Sequence, residues 1–262
     1  FCTDKEAVNR IADQAKAIFK HRDESLSKIT DECVDTYYSC SICQSIAPNH
    51  VCIVTPERLG LCGAYSWLDA GNSFKMVPSG PNQPVPKGRL LNRKLGQWEN
   101  VNDCVRKISN HTVERVSMYS LIDSPQTSCG FPECIVAVIP EVKGFMVVHR
   151  SYEGVTPCGM NFSELVEFVG RGVQTPGFLG ISRNCILSRK FISAEGGLRR
   201  LVWISKFLKS EIGERINALA LQDGEVNLLE KIADEDDAVD SEKLAGFLKN
   251  KGHPALSMPA LI

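Results

Sequence analysis

Four closely spaced cysteines constrain this chain more than any other feature of its sequence. Cys40, Cys43, Cys52 and Cys62 follow the spacing C-x2-C-x8-C-x9-C. Two cysteines three residues apart can reach one metal from a single backbone turn, and a loop and a second turn must bring the other two. Four thiolates suit either Zn²⁺ or an iron–sulfur cluster, although the long gaps differ from those of a zinc ribbon. The spacing therefore favours a metal site over four unrelated core cysteines, and it leaves zinc and cluster both open.

The overall composition is that of an ordinary soluble globular protein. The chain has 262 residues, of which 43% are hydrophobic and 23% charged, enough for one large domain or two small ones. A net charge of −1 argues against a general nucleic-acid binder. No apolar run approaches the length of a membrane span. The sequence begins with Phe1 and shows no signal peptide, so we expect a piece of a longer chain whose upstream domains are absent.

The number of cysteines indicates whether the protein is secreted or belongs in a reducing cellular compartment. Eleven cysteines are many for this length, but the number is odd and no signal peptide precedes them. A secreted disulfide framework is therefore disfavoured. Metal-bound thiolates in a reducing, oxygen-poor cytoplasm fit better.

Hydrophobic periodicity predicts an α+β fold, in which a mixed sheet is flanked by helices and joined to a cysteine-rich metal-binding loop region. We expect one domain over 1–262, with a sub-domain break near the proline-rich stretch 78–86, itself interpreted as an ordered surface loop. Asp4 and Ser241 are the expected N-caps of the first and last helices. The predicted helices cover 4–28, 31–38, 98–109, 162–169, 211–233 and 241–249, and the predicted strands cover 50–55, 113–122, 135–139 and 144–149, with strand then helix over 198–209.

Four smaller features allow further predictions. The glycine-rich run 170–180 lacks both the GxGxxG and the Walker patterns, which favours a structural loop over a phosphate site. Cys33 is expected to be a buried core thiol. The acidic run 234–237 is expected to be a solvated helix end or loop. His50 is the histidine expected nearest the metal site, where it could hydrogen-bond a sulfur, although a satisfied surface or loop histidine is the favoured interpretation.

Several motifs resemble one enzyme family. The motifs are CSICQSIAPNHVCIVTPERLGLCGA at 40–64, TSCG at 127–130, GRGVQTPGFLGIS at 170–182, KIADEDDA at 231–238 and GHPALSMPALI at 252–262. Together they resemble the C-terminal, active-site domain of acetyl-CoA synthases. These enzymes are the partners of carbon monoxide dehydrogenase in the anaerobic Wood–Ljungdahl pathway of carbon fixation. The resemblance spans essentially the whole chain.

The resemblance implies a [4Fe-4S] cubane joined to two nickel ions. By this resemblance Cys40, Cys43, Cys52 and Cys62 hold the cubane, and Cys43 also bridges to the proximal nickel. The family holds the distal nickel through a Cys-Gly-Cys tripeptide, which supplies two thiolates and two backbone amides. The aligned positions here are Cys129, Gly130 and Phe131. Cys43 and Cys129 are therefore the expected catalytic thiolates.

The sequence departs from the family pattern at Phe131. A phenyl ring replaces a thiolate, so the distal site keeps at most one sulfur and two amide nitrogens. The proximal site keeps Cys43 and Cys129. Cys134 is near in sequence but would need the backbone to fold back, and the simplest interpretation of Phe131 is a space-filling residue beside the cluster. Ile46 also stands where the resemblance leads us to expect an aromatic.

Three functions remain open at this point. The first is an acetyl-CoA synthase domain that condenses carbon monoxide, a methyl group from a corrinoid iron–sulfur protein, and coenzyme A. Its further expected partner is carbon monoxide dehydrogenase, contacted through upstream domains, with no nucleic-acid or membrane partner. The second is a [4Fe-4S]-binding or electron-transfer module whose nickel site is degenerate because of Phe131. The third is a structural zinc site.

Overall fold

The computed structural model describes residues 3–262, and within them eight α-helices and nine β-strands form an α+β fold, as the sequence predicts. The helices are α1 (Lys5–Leu26), α2 (Trp67–Met76), α3 (Glu99–Ile108), α4 (Phe162–Val169), α5 (Arg183–Ile186), α6 (Lys206–Gln222), α7 (Leu228–Lys231) and α8 (Ser241–Lys251). The strands are β1 (Thr36–Cys40), β2 (Cys52–Val54), β3 (Asn82–Pro86), β4 (Leu90–Asn92), β5 (Gln97–Trp98), β6 (Cys134–Ile139), β7 (Gly144–His149), β8 (Phe178–Ile181) and β9 (Leu201–Ile204). None of the helices in this range is long and apolar enough to cross a bilayer.

The largest sheet is mixed and has the strand order β8-β6-β7-β9. The two predicted strands β6 and β7 form an antiparallel hairpin, β8 joins antiparallel to β6, and β9 joins parallel to β7. Every residue of β6 and β7 is buried, because alternate side chains enter two different cores. Val136 and Val147 pack on the face covered by α6, whereas Ile135 and Val148 pack on the face covered by α4 and α8.

A smaller antiparallel sheet has the order β2-β1-β3 and carries part of the cysteine motif. Tyr37 and Ile53 point into a core with α3. Cys40 and Cys52 point to the opposite face. The sheet therefore separates an ordinary hydrophobic core from a sulfur-rich pocket.

Most predicted helices are confirmed, with changes at their ends. Asp4 caps α1, and its side chain accepts a hydrogen bond from Ala7 N. The cap of α8 is Asp240 rather than Ser241, because the Asp240 carboxylate accepts from Lys243 N. The helix predicted over 211–233 ends at Gln222 and resumes as α7 after a turn that contains Gly224. In the acidic run, Asp234 is buried and pairs with Lys209 at 2.9 Å, so that run is only partly solvated.

Three sequence predictions about the region 31–86 are wrong. The helix expected over 31–38 is a short 3-10 turn followed by β1, because Thr36, Tyr37 and Tyr38 favour an extended, half-buried strand. The Cys33 thiol, expected in the core, is exposed on that turn. The stretch 78–86 is not only a loop, since β3 pairs with β1 at a sheet edge, where its prolines are tolerated. The sub-domain break near 78–86 stays a prediction.

A fourth error concerns 113–122, which forms no strand although its apolar side chains are buried. Side chains satisfy its backbone amides in place of a neighbouring strand. Val113 N donates to Ser109 Oγ at 3.1 Å, and Val116 N donates to Asn102 Oδ1 at 2.9 Å. Alternating hydrophobicity alone therefore overpredicts a strand here.

Helix α1 is present as predicted but is barely packed. Leu26 is its one buried residue, and Ile11, Ile18 and Phe19 stay exposed. Arg22 fixes its C-terminal half, because Nη1 donates to Ala64 O at 2.8 Å and to Asp69 Oδ2 at 3.3 Å. The helix thus lies across the surface beside the turn that carries Cys62.

Candidate metal centre

Strand pairing brings the first pair of candidate ligands together. Cys40 and Cys52 face each other directly in the antiparallel register of β1 and β2. Directly opposed residues of an antiparallel pair point to the same face of the sheet. Both side chains are buried, and they pack with Val54, Leu61 and Cys129 in a single group.

Two turns carry the other candidate cubane ligands, Cys43 against the same group and Cys62 next to its member Leu61. Cys43 sits in a 3-10 turn, Ile42–Ser45, directly after β1 and packs against the buried cysteines. Cys62 lies within a tight turn, in which Gly63 N donates to Gly60 O at 2.9 Å. Gly63 takes a positive φ of 77°, and a Cβ there would lie 2.5 Å from Glu133 Oε2, so glycine is required.

The fifth candidate thiol enters from a distant part of the chain. Cys129 is 1% exposed and lies in the segment before β6. Its side chain belongs to the same buried group, against which Cys43 packs. Interaction with the Cys129 thiol, together with burial, raises the pKa of Cys43, whereas the interaction with Cys43 outweighs burial and lowers the pKa of Cys129. Cys43 thus touches both the four-cysteine group and Cys129.

The sulfurs lie in an apolar pocket that carries backbone donors. Burial, with a smaller contribution from Cys62, raises the pKa of the Cys40 and Cys52 thiols. The backbone amides of Ile42 and Leu61 donate to the sulfurs of Cys40 and Cys52, respectively. Such N–H···S bonds stabilise metal-bound thiolates and tune a cluster's potential. Without a positive centre, several buried thiolates would be unfavourable.

The glycine-rich run is a structural support, as predicted, and its specific task is to hold the Cys129 segment. A Cβ on Gly170 would lie 2.5 Å from Val166 O and 3.1 Å from both Cys129 O and Gly130 Cα. Gly172 N donates to Ser128 O at 3.2 Å, and its φ is +70°. The two glycines of GRG at 170–172 indicated a structural loop, but the sequence could not predict that this loop contacts the segment of Cys129.

The His50 side chain is hydrogen-bonded to a hydroxyl and not to a sulfur. Its Nδ1 lies 2.9 Å from Thr127 Oγ1, which also accepts from Val51 N at 3.3 Å. Burial lowers the pKa of His50 to about 4, so the ring is neutral at physiological pH. His50 and Thr127 therefore tie the cysteine motif to the segment of Cys129, and we assign no sulfur contact to His50.

The tripeptide at 129–131 lacks its second sulfur. The backbone amide of Phe131 donates to the sulfur of Cys129. The Phe131 ring is 58% exposed, so the residue does not fill space beside the buried thiols, as its simplest interpretation implied. A Cβ on Gly130 would meet only Ile46 Cγ2, at 3.7 Å. Ile46 is itself 59% exposed, and with Ile42 and Phe131 it forms an open apolar rim.

Cys134 cannot supply the missing thiolate. It is fully buried in β6, opposite His149 and Ile181, and it packs in the core under α6 rather than with the sulfur-rich group. Burial raises the pKa of this thiol well above its ordinary value. The rescue considered from sequence would require β6 to leave the sheet.

The residues fit a cubane better than a complete dinickel site. Within 3–262, no three His, Cys, Asp or Glu side chains converge on a single ion. A [4Fe-4S] cubane does not require such convergence, because each of its four irons takes one thiolate. Cys40, Cys43, Cys52 and Cys62 supply four soft ligands with backbone donors around them. Cys129, Gly130 and Phe131 supply one sulfur where a square-planar N₂S₂ nickel site needs two.

Comparison with known proteins decides the family. The family model for the C-terminal part of the ACS/CODH beta subunit matches residues 19–262. The chain belongs to this family. The alpha subunit of carbon monoxide dehydrogenase/acetyl-CoA synthase from Moorella thermoacetica is 46% identical over 261 residues, covering 99% of this chain and 36% of that protein.

Other members of the ACS/CODH family are similarly close. The acetyl-CoA decarbonylase/synthase complex subunit beta 2 of Methanocaldococcus jannaschii is 44% identical over 252 residues, covering 96% of this chain and 52% of that protein. The chain therefore spans about a third to a half of the length of these relatives. A solved structure of the C-terminal domain of the acetyl-Coenzyme A synthase alpha subunit is 41% identical and covers 52% of this chain and 100% of that one, with a TM-score of 0.49.

Proposed function

We propose that this chain is the active-site domain of an enzyme that makes acetyl-CoA from carbon monoxide, a corrinoid-borne methyl group and coenzyme A. The observation that carries the proposal is the packing of Cys40, Cys43, Cys52 and Cys129 in one group, with Cys40 directly opposite Cys52 and with Leu61, the neighbour of Cys62, in the same group. Membership of the ACS/CODH family supports the same reaction class.

The cofactor assignment follows from the donor set. Cys40, Cys43, Cys52 and Cys62 would hold a [4Fe-4S] cubane, and Cys43 and Cys129 together would hold a proximal nickel. When bound, this centre supplies a soft metal site at which carbon monoxide and a methyl group are joined. A second nickel does not fit the residues present, and no step is assigned to it.

The protein's own contribution is geometry and exclusion of water. The β1–β2 register and the Gly63 turn fix the positions of the thiols before any metal arrives. Burial of Cys40, Cys52 and Cys129 keeps water from most of the centre. Ile42, Ile46 and Phe131 leave one side open and apolar, and small uncharged substrates can approach there.

The names of the relatives indicate the setting of this reaction. One belongs to a carbon monoxide dehydrogenase/acetyl-CoA synthase and others belong to decarbonylase/synthase complexes. We extend to this chain a partnership with carbon monoxide dehydrogenase, which would use regions that these relatives have and this chain does not span. A corrinoid iron–sulfur protein would deliver the methyl group at the open rim, in an anaerobic cytoplasm.

A second candidate function is favoured by Phe131. Its exposed ring and the burial of Cys134 leave no second thiolate for a distal nickel. A domain with the cubane alone would serve electron transfer or would be an inactive relative of the enzyme. This candidate predicts the same iron content but no acetyl-CoA.

The test is acetyl-CoA formation by chain reconstituted with iron, sulfide and nickel without oxygen. A methylated corrinoid protein, carbon monoxide and coenzyme A are the substrates, and the product is quantified by mass spectrometry. We expect turnover that Cys129→Ala abolishes and Cys185→Ala, a buried thiol of the main core, leaves intact. No product from wild-type chain that retains its iron would favour the second candidate.

A further inference from the structure

We infer that a groove beneath helix α1 binds the phosphate-bearing nucleotide of coenzyme A, an inference that rests on the proposed function. The groove has a volume of about 770 Å³ and runs between α1, the turn at Cys62–Ala64 and helix α6. We call it the α1 groove. Its volume lies in the range of small-molecule sites.

The α1 groove carries a positive charge in a chain whose net charge is −1. Six cationic side chains line it against four carboxylates. Glu133 and Glu211 are already paired with Arg183, at 2.6 and 3.4 Å, and Asp23 is paired with Arg22 at 2.8 Å. Glu24 is the remaining carboxylate of the lining.

Three of the lining cations are free to meet an anion. Lys20, Arg150 and Arg215 are exposed and have no acidic partner within 4.0 Å among residues 3–262. They stand on different walls, because Lys20 belongs to α1, Arg215 to α6, and Arg150 follows β7. Cations on opposite walls suit a ligand with phosphates at more than one position.

The α1 groove also has the apolar surface that a nucleotide base requires. Leu59 and Ile212, each 4% exposed, line it. The Phe19 ring stands at its side with 43% of its surface exposed, and Arg22 lies 4.8 Å from the ring centroid. An exposed aromatic face beside cations can stack a purine. Coenzyme A is the one substrate of the proposed reaction that combines a purine with several phosphates.

The α1 groove leads to the metal centre. Cys62 and Gly63 line it, and Arg150 Nη2 lies 3.5 Å from Cys62 O. Glu133 also lines it, four residues beyond Cys129. Four extended residues span at most about 13 Å. The pantetheine arm of coenzyme A can cover that distance, so a nucleotide held in the groove would leave the thiol within reach of the Cys43–Cys129 side.

The test is calorimetric titration of the reconstituted chain with adenosine 3′,5′-bisphosphate, which carries the base and the 3′-phosphate of coenzyme A. We expect binding that weakens about tenfold in Arg215→Gln and in Arg150→Gln, since each removes a charged phosphate contact. Arg93→Gln is the matched control, because Arg93 is also exposed but lies in the β4–β5 turn. Unfolding curves check that all three variants fold.

Three outcomes would overturn the inference: no binding by wild type, equal binding by wild type and Arg215→Gln, or inorganic phosphate and AMP binding as tightly as the bisphosphate. Acetyl-CoA formation and iron content are measured on the same samples. Turnover without bisphosphate binding would contradict the assignment of the α1 groove and leave the proposed function standing. Bisphosphate binding without turnover, in chain that retains its iron, would contradict the proposed function and leave the α1 groove as a nucleotide site.

Discussion

Cys40 and Cys52 are direct partners across the β1–β2 ladder, so an ordinary antiparallel register places two thiols side by side. A register shift of one residue would move Cys52 to the face of Tyr37 and Ile53, which is filled by hydrophobic side chains. Half of the proposed cubane ligand set is therefore fixed by sheet hydrogen bonds and does not depend on flexible loops.

Removing one of these thiols should prevent cluster assembly. In Cys52→Ser, a hard hydroxyl replaces a soft thiolate, and the register leaves no other sulfur at that position. We expect iron per reconstituted chain to fall from about four to less than one. Cys185→Ser, also buried but in the main core, should keep its iron. Equal iron in both variants would show that Cys52 is not a ligand.

Restoring a second thiolate should raise the nickel content. Phe131→Cys completes a Cys-Gly-Cys tripeptide that begins at the buried Cys129 thiol. We expect about one additional nickel per chain relative to wild type. Phe131→Ala removes the same exposed ring without adding a ligand and should leave nickel unchanged. A rise in the alanine variant would mean that the ring, not the missing sulfur, limits nickel binding.

Gly170 should be intolerant of a side chain. Its Cβ would lie 2.5 Å from a backbone carbonyl and 3.1 Å from Gly130 Cα, so Gly170→Ala must displace the Cys129 segment. We expect a loss of about 1–3 kcal/mol in the free energy of unfolding, measured by urea denaturation. Gly246→Ala is the control, because its Cβ meets nothing within 4 Å in the exposed face of α8. That variant should be neutral or stabilised by up to about 1 kcal/mol.

His253 should make the chain less stable in acid. Burial lowers its pKa to about 4, and in the fold its Nε2 donates to Leu201 O while Nδ1 accepts from Ala255 N. An unfolded histidine has a pKa near 6.5. At pH 5, His253 is therefore mostly protonated in the unfolded chain and mostly neutral in the folded chain. Stability is therefore lost as pH falls below about 6.5, by about 2 kcal/mol at pH 5 from this residue.

The variant His253→Gln isolates that contribution. His50 and His149 also have pKa values lowered to about 4, and both remain in the variant. Urea denaturation at pH 7.5 and pH 5 should therefore show a smaller acid loss in His253→Gln than in wild type. Parallel losses in the two proteins would exclude His253 as a source of acid sensitivity.

The local sequence pattern predicted many of the helices and strands but not the contacts between distant segments. The apolar runs at 135–139 and 144–149 were enough to predict β6 and β7, and the spacing of apolar residues was enough for α3 and α4. The same reasoning failed at 113–122, where side-chain acceptors replace a partner strand. It also failed at 31–38, because short amphipathic segments fit helix and strand equally well.

The candidate site shows the same division. The cysteine spacing predicted a metal centre, and the family resemblance added Cys129. Neither predicted that Gly170 packs on the Cys129 backbone or that His50 bonds Thr127, because both contacts join residues far apart in sequence. Exposure of Phe131 also required the fold, since a phenylalanine beside a buried cysteine is more often part of the core.

The most direct test of the central claim is the iron and nickel content of wild-type chain purified and reconstituted without oxygen. With four cubane ligands and one sulfur in the tripeptide, we predict about four irons and fewer than two nickels per chain. About one tightly bound zinc with no iron would contradict the account, because the four cysteines would then form a structural zinc site.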